Sequence, residues 1–111
     1  MHNKSPKKAI KETRINEAVQ REVSRVIREE VKDPRIPLMT SVTRAEVTGD
    51  LRYASVYISI YGDDAQKSEA MKALSKATPF IRSKVAGGLN LRYTPEIKFI
   101  LDDAIEYGVN M

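Results

Sequence analysis

The sequence lacks several residues on which common kinds of chemistry depend. It has no cysteine and no tryptophan, and its single histidine is His2, next to the first residue. Disulfides and thiolate metal sites are therefore excluded, and a histidine-based nucleophile or proton shuttle is not expected. No apolar run reaches the length of a membrane span, and the N-terminal segment has no apolar stretch typical of a signal peptide. These features predict a soluble cytoplasmic protein without a membrane partner.

Ligand-binding signatures are also missing. The sequence contains no glycine-rich phosphate loop, no dinucleotide fingerprint and no Gly-x-x-Gly. Two acidic pairs, Asp63-Asp64 and Asp102-Asp103, fall at predicted strand ends. Helix capping and solvated turns explain such pairs more simply than a magnesium or hydrolytic site does. We therefore predict no catalytic residue, no metal, no cofactor and no small-molecule substrate.

Positive charge is present in excess but is unevenly distributed. The net charge is +4; residues 1–37 carry ten Lys and Arg against six Asp and Glu, and residues 66–100 carry seven against two. Residues 38–65 and 101–111 are acidic on balance. Clustered basic residues favour a phosphate backbone through counterion release, whereas the alternative is an ordinary solvated surface.

The length of 111 residues suits one domain with one core. We predict a flexible basic tail over residues 1–12, a single domain over residues 13–108 and a short tail over residues 109–111. Apolar residues then follow one face of an amphipathic helix that should end at Asp33-Pro34. They are Ile15, Val19, Val23, Val26, Ile27 and Val31.

Two strands and a turn follow the first helix. Residues 38–47 are rich in Thr and Val, and Thr48-Gly49-Asp50 has the composition of a turn. Residues 53–61 alternate with period two, so Val56, Ile58 and Ile60 should face the core, and tyrosines should face the opposite side. Tyrosine suits an exposed strand for structural reasons alone, but it also suits stacking or a partner surface.

A helical region with a proline in its middle is the central feature of the second half. Apolar spacing predicts helix on both sides of Ala77-Thr78-Pro79. Proline cannot donate the backbone hydrogen bond, and it disfavours helical dihedrals in the residue before it. We therefore predict a break here, with Thr78 as N-cap of a second helix beginning at Pro79; one long kinked helix is the alternative.

The predicted order is helix, strand, strand, helix, break, helix, strand, the last strand covering residues 96–102. Gly87-Gly88 should mark the fraying end of the helix before it. Three strands with helices on one face make an α+β two-layer domain. The fold class alone leaves three functions open: an RNA-binding assembly factor, a protein-interaction module using the tyrosine face, or a small α+β enzyme such as an acyl-phosphate hydrolase.

Several segments resemble one known family. They are 33–36 (DPRI), 40–43 (TSVT), 48–51 (TGDL), 54–59 (ASVYIS), 80–83 (FIRS) and 89–97 (LNLRYTPEI). Together they are similar to bacterial ribosome-binding factor A, over about residues 9–108. The sequence departs from the family pattern at the predicted break, where it has Ala77-Thr78-Pro79 and the family usually has Ala-x-Gly.

This resemblance implies a type II KH-like domain in which the helix break belongs to the fold. It also implies a non-catalytic factor that binds the small (30S) ribosomal subunit and its 16S rRNA during rRNA processing and maturation, and that supports growth in the cold. Without Gly-x-x-Gly, docking on structured RNA through phosphates is expected rather than sequence-specific gripping of a single strand. We expect a monomer.

The candidate RNA-binding residues are cationic side chains on the first helix, after the break and before the last strand. They are Arg21, Arg25, Arg28, Arg82, Lys84 and Arg92. Arginine binds phosphate well because its planar fork bonds two oxygens at once. For the first helix, pairing with Glu22 or Glu29 is the structural alternative. Arg82 and Arg92 have few acidic sequence neighbours, so they are the stronger candidates.

Overall fold

The computed structural model describes the backbone of residues 6–91 and 93–102, and the side chains of residues 13–91 and 93–102. Its elements are α1 (Pro6–Glu29), β1 (Ser41–Val47), β2 (Tyr53–Ser59), α2 (Asp64–Leu89) and β3 (Glu96–Leu101). The α+β class is confirmed. Helix α1 begins within the segment where the sequence suggested a tail. The remaining parts of the two predicted tails, residues 1–5 and 109–111, lie outside the described residues.

The three strands form a mixed sheet in the order β1-β2-β3. Strands β1 and β2 pair antiparallel, with a register shift between Val42 and Arg44, whereas β2 and β3 pair in parallel. Parallel pairing requires a crossover connection, which α2 supplies. On the outer edge of β1, the Asn16 side-chain oxygen accepts from the Val47 amide at 2.9 Å, and the Gln20 amide lies 3.2 Å from the Val42 carbonyl. Helix α1 thus covers part of this sheet edge.

The core lies between the sheet and the two helices. The predicted inward residues of β2, Val56 and Ile58, are fully buried, and Ile60 just beyond the strand is nearly so. Four residues of the two helices are buried in the same cluster: Val23, Ile27, Leu74 and Val85. The alternation read from residues 53–61 therefore gives the correct orientation of the sheet.

The predicted helix break is wrong, because α2 runs through Ala77, Thr78 and Pro79 as one helix. Buried residues precede and follow the proline on the same helical face: Ala70, Ala73, Leu74, Ile81 and Val85. Packing of both halves against the same sheet outweighs the local preference of Pro79 to end a helix. Pro79 itself is exposed, so the backbone bond that it removes is on the solvent side.

Thr78 does not act as an N-cap. Its hydroxyl donates to the carbonyl of Leu74 at 2.9 Å, four residues earlier, which is a common arrangement for Thr inside a helix. The true N-cap of α2 is Asp63, which accepts from the Gln66 amide at 2.8 Å while the Gln66 side chain accepts from the Asp63 amide. The prediction that the acidic pair Asp63-Asp64 caps a helix is therefore confirmed.

The C-terminal end of α2 also differs from the prediction. The helix remains regular through Gly87-Gly88 and ends at Leu89; its C-cap, Asn90, has left-handed dihedrals (φ 53°, ψ 41°) and donates its N–H to the Ala86 carbonyl. A Cβ at position 88 would overlap the Glu22 carboxylate of α1. Gly88 therefore leaves room for the Glu22 side chain beside α2, and a fraying end does not explain it.

Candidate RNA-binding surface

An arginine row follows the solvent face of α1. Arg14, Arg21 and Arg28 are seven residues apart and exposed, on the side of the helix opposite the buried Val19 and Val23. Seven residues are two turns, so successive arginines are separated by roughly 10 Å along the helix axis. We call these three residues the arginine row. It is a line of positive charge on a rigid element.

Two members of the arginine row are unpaired as far as the described part of the chain shows. Within the described side chains, neither Arg14 nor Arg21 takes part in an ion pair or a hydrogen bond. Arg28 contacts Glu29 at 3.4 Å, and both side chains are more than half exposed. An exposed pair of this kind is weak, so Arg28 can exchange Glu29 for a phosphate at little cost.

Arg25 is placed differently, in a cluster of carboxylates. Its guanidinium lies 2.7 Å from Glu22, 2.9 Å from Glu30 and 3.4 Å from Glu29. Hydrogen bonds to Glu22 and then Glu30 raise the pKa of Arg25 above its usual value, and the bond from Arg25 lowers the pKa of Glu30. Pairing with glutamates of the same helix, which was the alternative to RNA binding, is therefore observed at Arg25, and these carboxylates compensate its charge.

Lys84 extends this carboxylate cluster to α2. Its ammonium lies 3.3 Å from Glu30 and 5.5 Å from the centre of the Phe80 ring. Lys84 and Arg25 thus share Glu30, and together they connect the two helices. The side chain of Lys84 is still 45% exposed, so a phosphate could reach its ammonium from solvent.

Arg82 connects α2 to the segment before β3. Its Nε donates to the carbonyl of Pro95 at 3.0 Å, and its Nη2 donates to the carbonyl of Thr94 at 2.8 Å. The side chain is half-buried. Arg82 was a strong candidate because it has few acidic neighbours in the sequence. Its partners are instead backbone oxygens, which cannot be predicted from the pattern of charged residues. Arg92, the other strong candidate, lies outside the described residues.

The described candidate residues therefore have three different structural settings. Arg21 and Arg28 belong to the arginine row, Arg25 and Lys84 to the contact between helices, and Arg82 to the contact with the sheet. The residues of the predicted break lie in the middle of α2. Sequence reasoning did not include Arg14 among the candidates, although its spacing from Arg21 and Arg28 identifies it as a member of the same row.

The outer face of the sheet carries the tyrosines that the alternation predicts. Tyr53 and Tyr61 are 54% and 74% exposed. Tyr57 is half-buried; its hydroxyl lies 3.3 Å from Glu46, and the Arg44 guanidinium lies 4.0 Å above its ring. The exposed tyrosines, Tyr53 and Tyr61, are therefore at the two ends of the predicted strand, while Tyr57 in its middle is covered by Arg44.

Carboxylates do not form a metal centre in the described part of the chain. Across the described side chains of residues 13–91 and 93–102, His, Asp and Glu do not gather into any group of three able to hold a metal ion. Asp102 accepts from the Thr43 hydroxyl at 2.8 Å and thereby connects the end of β3 to β1. No helix in the same part of the chain is long and apolar enough to cross a membrane.

The fold and its surface define a small α+β domain with an electropositive helix on one side and exposed tyrosines at the ends of its sheet. The chain belongs to the ribosome-binding factor A family, whose model matches residues 11–111. It is 50% identical over 105 residues to a ribosome-binding factor A of Lachnoclostridium phytofermentans, covering 95% of this chain and 77% of that protein.

Solved structures of the same family have the same fold. The crystal structure of ribosome-binding factor A from Thermus thermophilus matches with a TM-score of 0.72 at 21% identity, covering 81% of this chain and 94% of that one. A homology model of the Thermus protein, fitted into an electron cryomicroscopy map of its 30S complex, matches with a TM-score of 0.65 at 22% identity, covering 78% and 89%.

Proposed function

We propose that this chain is a non-catalytic assembly factor that binds the small ribosomal subunit through its 16S rRNA during rRNA processing and maturation. It acts as a cytoplasmic monomer and supports growth in the cold. Membership of the family and the 30S complex of the Thermus relative support the subunit as partner. The observation in this chain that carries the proposal is the arginine row, a line of exposed arginines on α1 in which Arg14 and Arg21 form no ion pair with any described side chain.

The arginine row suits a phosphate backbone for three reasons. Its guanidinium groups can each bond two phosphate oxygens. Its spacing of roughly 10 Å lets each arginine reach a different phosphate of a structured RNA. Because α1 is anchored by Val19, Val23 and Val26 in the core, the row is held in place before RNA arrives. Phosphate contacts of this kind orient a protein on RNA without reading sequence.

The test is a salt titration of binding to purified small subunits, mature and immature. The wild-type affinity should fall steeply with salt, and Arg14→Ala, Arg21→Ala and Arg28→Ala should each flatten the log–log slope by about 0.7–0.9. Folding should be unaffected, because these side chains are exposed and alanine is at least as good a helix former as arginine. Tighter binding to immature subunits is expected of a maturation factor.

Arg44→Ala is the matched control, since it removes the same charge from the outer face of the sheet, where Arg44 lies over Tyr57. Its salt slope should equal that of the wild type. If Arg44→Ala and Arg21→Ala change the slope equally, binding follows net charge and the arginine row has no special role. A shallow wild-type slope that no variant alters would reject charge-driven docking and favour a protein-interaction module on the tyrosine face.

A further inference from the structure

A cleft lies at the end of the sheet where β2 begins. One wall is the turn of residues 50–53, and the other is formed by Arg82 of α2 with Tyr93, Thr94 and Glu96. Its volume is about 500 Å³, within the usual range of sites for small organic groups. The two tyrosines that line it, Tyr53 and Tyr93, are 54% and 60% exposed.

The turn that forms the first wall is held by its own hydrogen bonds. The Thr48 hydroxyl lies 2.7 Å from the Asp50 carboxylate and accepts from the Tyr53 amide at 3.1 Å, while the Thr48 amide donates to the Tyr53 carbonyl. Leu51 has a φ of 62°, a left-handed conformation that is uncommon for a leucine. These bonds fix the position of Tyr53 before any ligand binds.

The second wall is attached to the first and to α2. The Glu96 amide donates to the Arg52 carbonyl at 2.8 Å, and Arg82 holds the carbonyls of Thr94 and Pro95. Arg82 thus has a part in shaping this cleft, although its charge is directed at the backbone. A cleft whose two walls are fixed in this way loses little conformational entropy when it binds a ligand.

Among the described residues, the charges around the cleft do not favour a phosphate. Two acids, Asp50 and Glu96, balance Arg52 and Arg82 there, and Asp50 lies 3.8 Å from Arg52. Carboxylates repel phosphate but accept hydrogen bonds from the amino groups of nucleobases. Aromatic rings that are more than half exposed provide a face on which any base can stack.

We propose that the cleft between Tyr53 and Tyr93 binds one unpaired RNA base, which stacks on the tyrosines and reaches the carboxylates with its amino edge. This inference rests on the proposed function, in which RNA is the partner. It adds a second contact with RNA, made through stacking and hydrogen bonds to a base. The arginine row binds phosphates of structured RNA, whereas the cleft holds a base that is free of pairing. The energy of the second contact should therefore depend little on salt.

The test uses a fluorescently labelled single-stranded RNA of mixed sequence and its matched abasic form, with binding followed by anisotropy. Tyr53→Ala and Tyr93→Ala should each weaken binding to the intact RNA by roughly fivefold or more. Tyr53→Phe should retain most of the affinity, because the ring remains. Tyr61→Ala is the control, since Tyr61 is 74% exposed but lies at the other end of the β2 segment.

The abasic RNA distinguishes stacking from other effects of the mutations. It should bind the wild type more weakly than the intact RNA does, and Tyr53→Ala should cause little further loss, because the two changes remove the same contact. The salt slopes of the tyrosine variants should match that of the wild type. Circular dichroism of each variant verifies folding, which substitution at exposed positions should preserve.

Several results would overturn the base-binding cleft. Equal losses for Tyr61→Ala and Tyr53→Ala would show that the cleft is not special, and unchanged binding of the abasic RNA would show that no base is recognised. If the tyrosine variants bind RNA normally but lose affinity for small subunits, the cleft docks a protein. None of these results changes the salt titration of the arginine variants, so failure of the cleft and failure of the proposed function are separately visible.

Discussion

Arg82 offers a sharp distinction between a structural and an RNA-binding role. Its guanidinium donates two hydrogen bonds to the carbonyls of Thr94 and Pro95, at 2.8 and 3.0 Å. A hydrogen bond from a charged group contributes about 1.5–3 kcal/mol, and two bonds from one half-exposed side chain are not additive. We therefore expect Arg82→Ala to lower the free energy of unfolding by about 1.5–3 kcal/mol.

The assay is urea unfolding followed by circular dichroism, in parallel with the salt titration of subunit binding. Arg82→Ala should lower the urea midpoint without changing the m-value, since the folded state buries the same surface. Arg82→Lys should recover only part of the loss, because an ammonium lacks the planar fork that spans two carbonyls. The salt slope of both folded variants should equal that of the wild type.

Arg21→Ala is the matched comparison for Arg82, and it should show the reverse pattern. Arg21 is exposed, so its loss should leave the urea midpoint unchanged and flatten the salt slope by about 0.7–0.9. The reasoning is refuted if Arg82→Ala is as stable as the wild type within about 0.5 kcal/mol and has the flatter slope. That outcome would mean that the guanidinium faces RNA in solution and that its bonds to Thr94 and Pro95 are dispensable.

Two further predictions concern stability. Pro79→Ala should raise the free energy of unfolding by up to about 3 kcal/mol in urea, because it restores the backbone bond that proline removes from an exposed helix position; a less stable variant would contradict this reasoning. The Arg35 guanidinium lowers the pKa of Asp33 to about 2, so the stability that this pair contributes should be present above about pH 4 and be lost as the pH falls through 2. Asp33→Asn should show less of this acid sensitivity in unfolding measured at pH 7, 4 and 2.5, and an unchanged pH profile would contradict it.

The sheet was predictable because its signal is local and repeated. Alternation over residues 53–61 identifies the inward face, and Val56, Ile58 and Ile60 are buried as that pattern requires. The sequence around Pro79 is misleading because the predicted break depends on one residue and not on a repeated pattern. A proline contributes a few kcal/mol against a helix, whereas Leu74, Ile81 and their neighbours pack on one sheet and together contribute more.

The surface charges were harder to predict than the core. Arg25 is compensated by nearby carboxylates of α1, and spacing along a helix does indicate such pairs. Lys84 and Arg82 have partners that are distant in sequence, just after α1 and just before β3, so only the tertiary structure shows them. Chain order likewise gives no sign that Tyr53 and Tyr93 line one cleft, because the parallel pairing of β2 with β3 brings them together.

The crossover between β2 and β3 has a consequence for how the chain folds. Strands β1 and β2 can pair as a hairpin as soon as both are made, on a timescale of microseconds. Strand β3 can join only after the whole of α2 has formed or collapsed, which makes its pairing a contact of high contact order and a candidate for the slow step. Until Ile97 reaches the core, β2 keeps one open edge that another chain could occupy. A chain in which β1 and β2 have paired but β3 has not yet docked is therefore the folding species most exposed to aggregation.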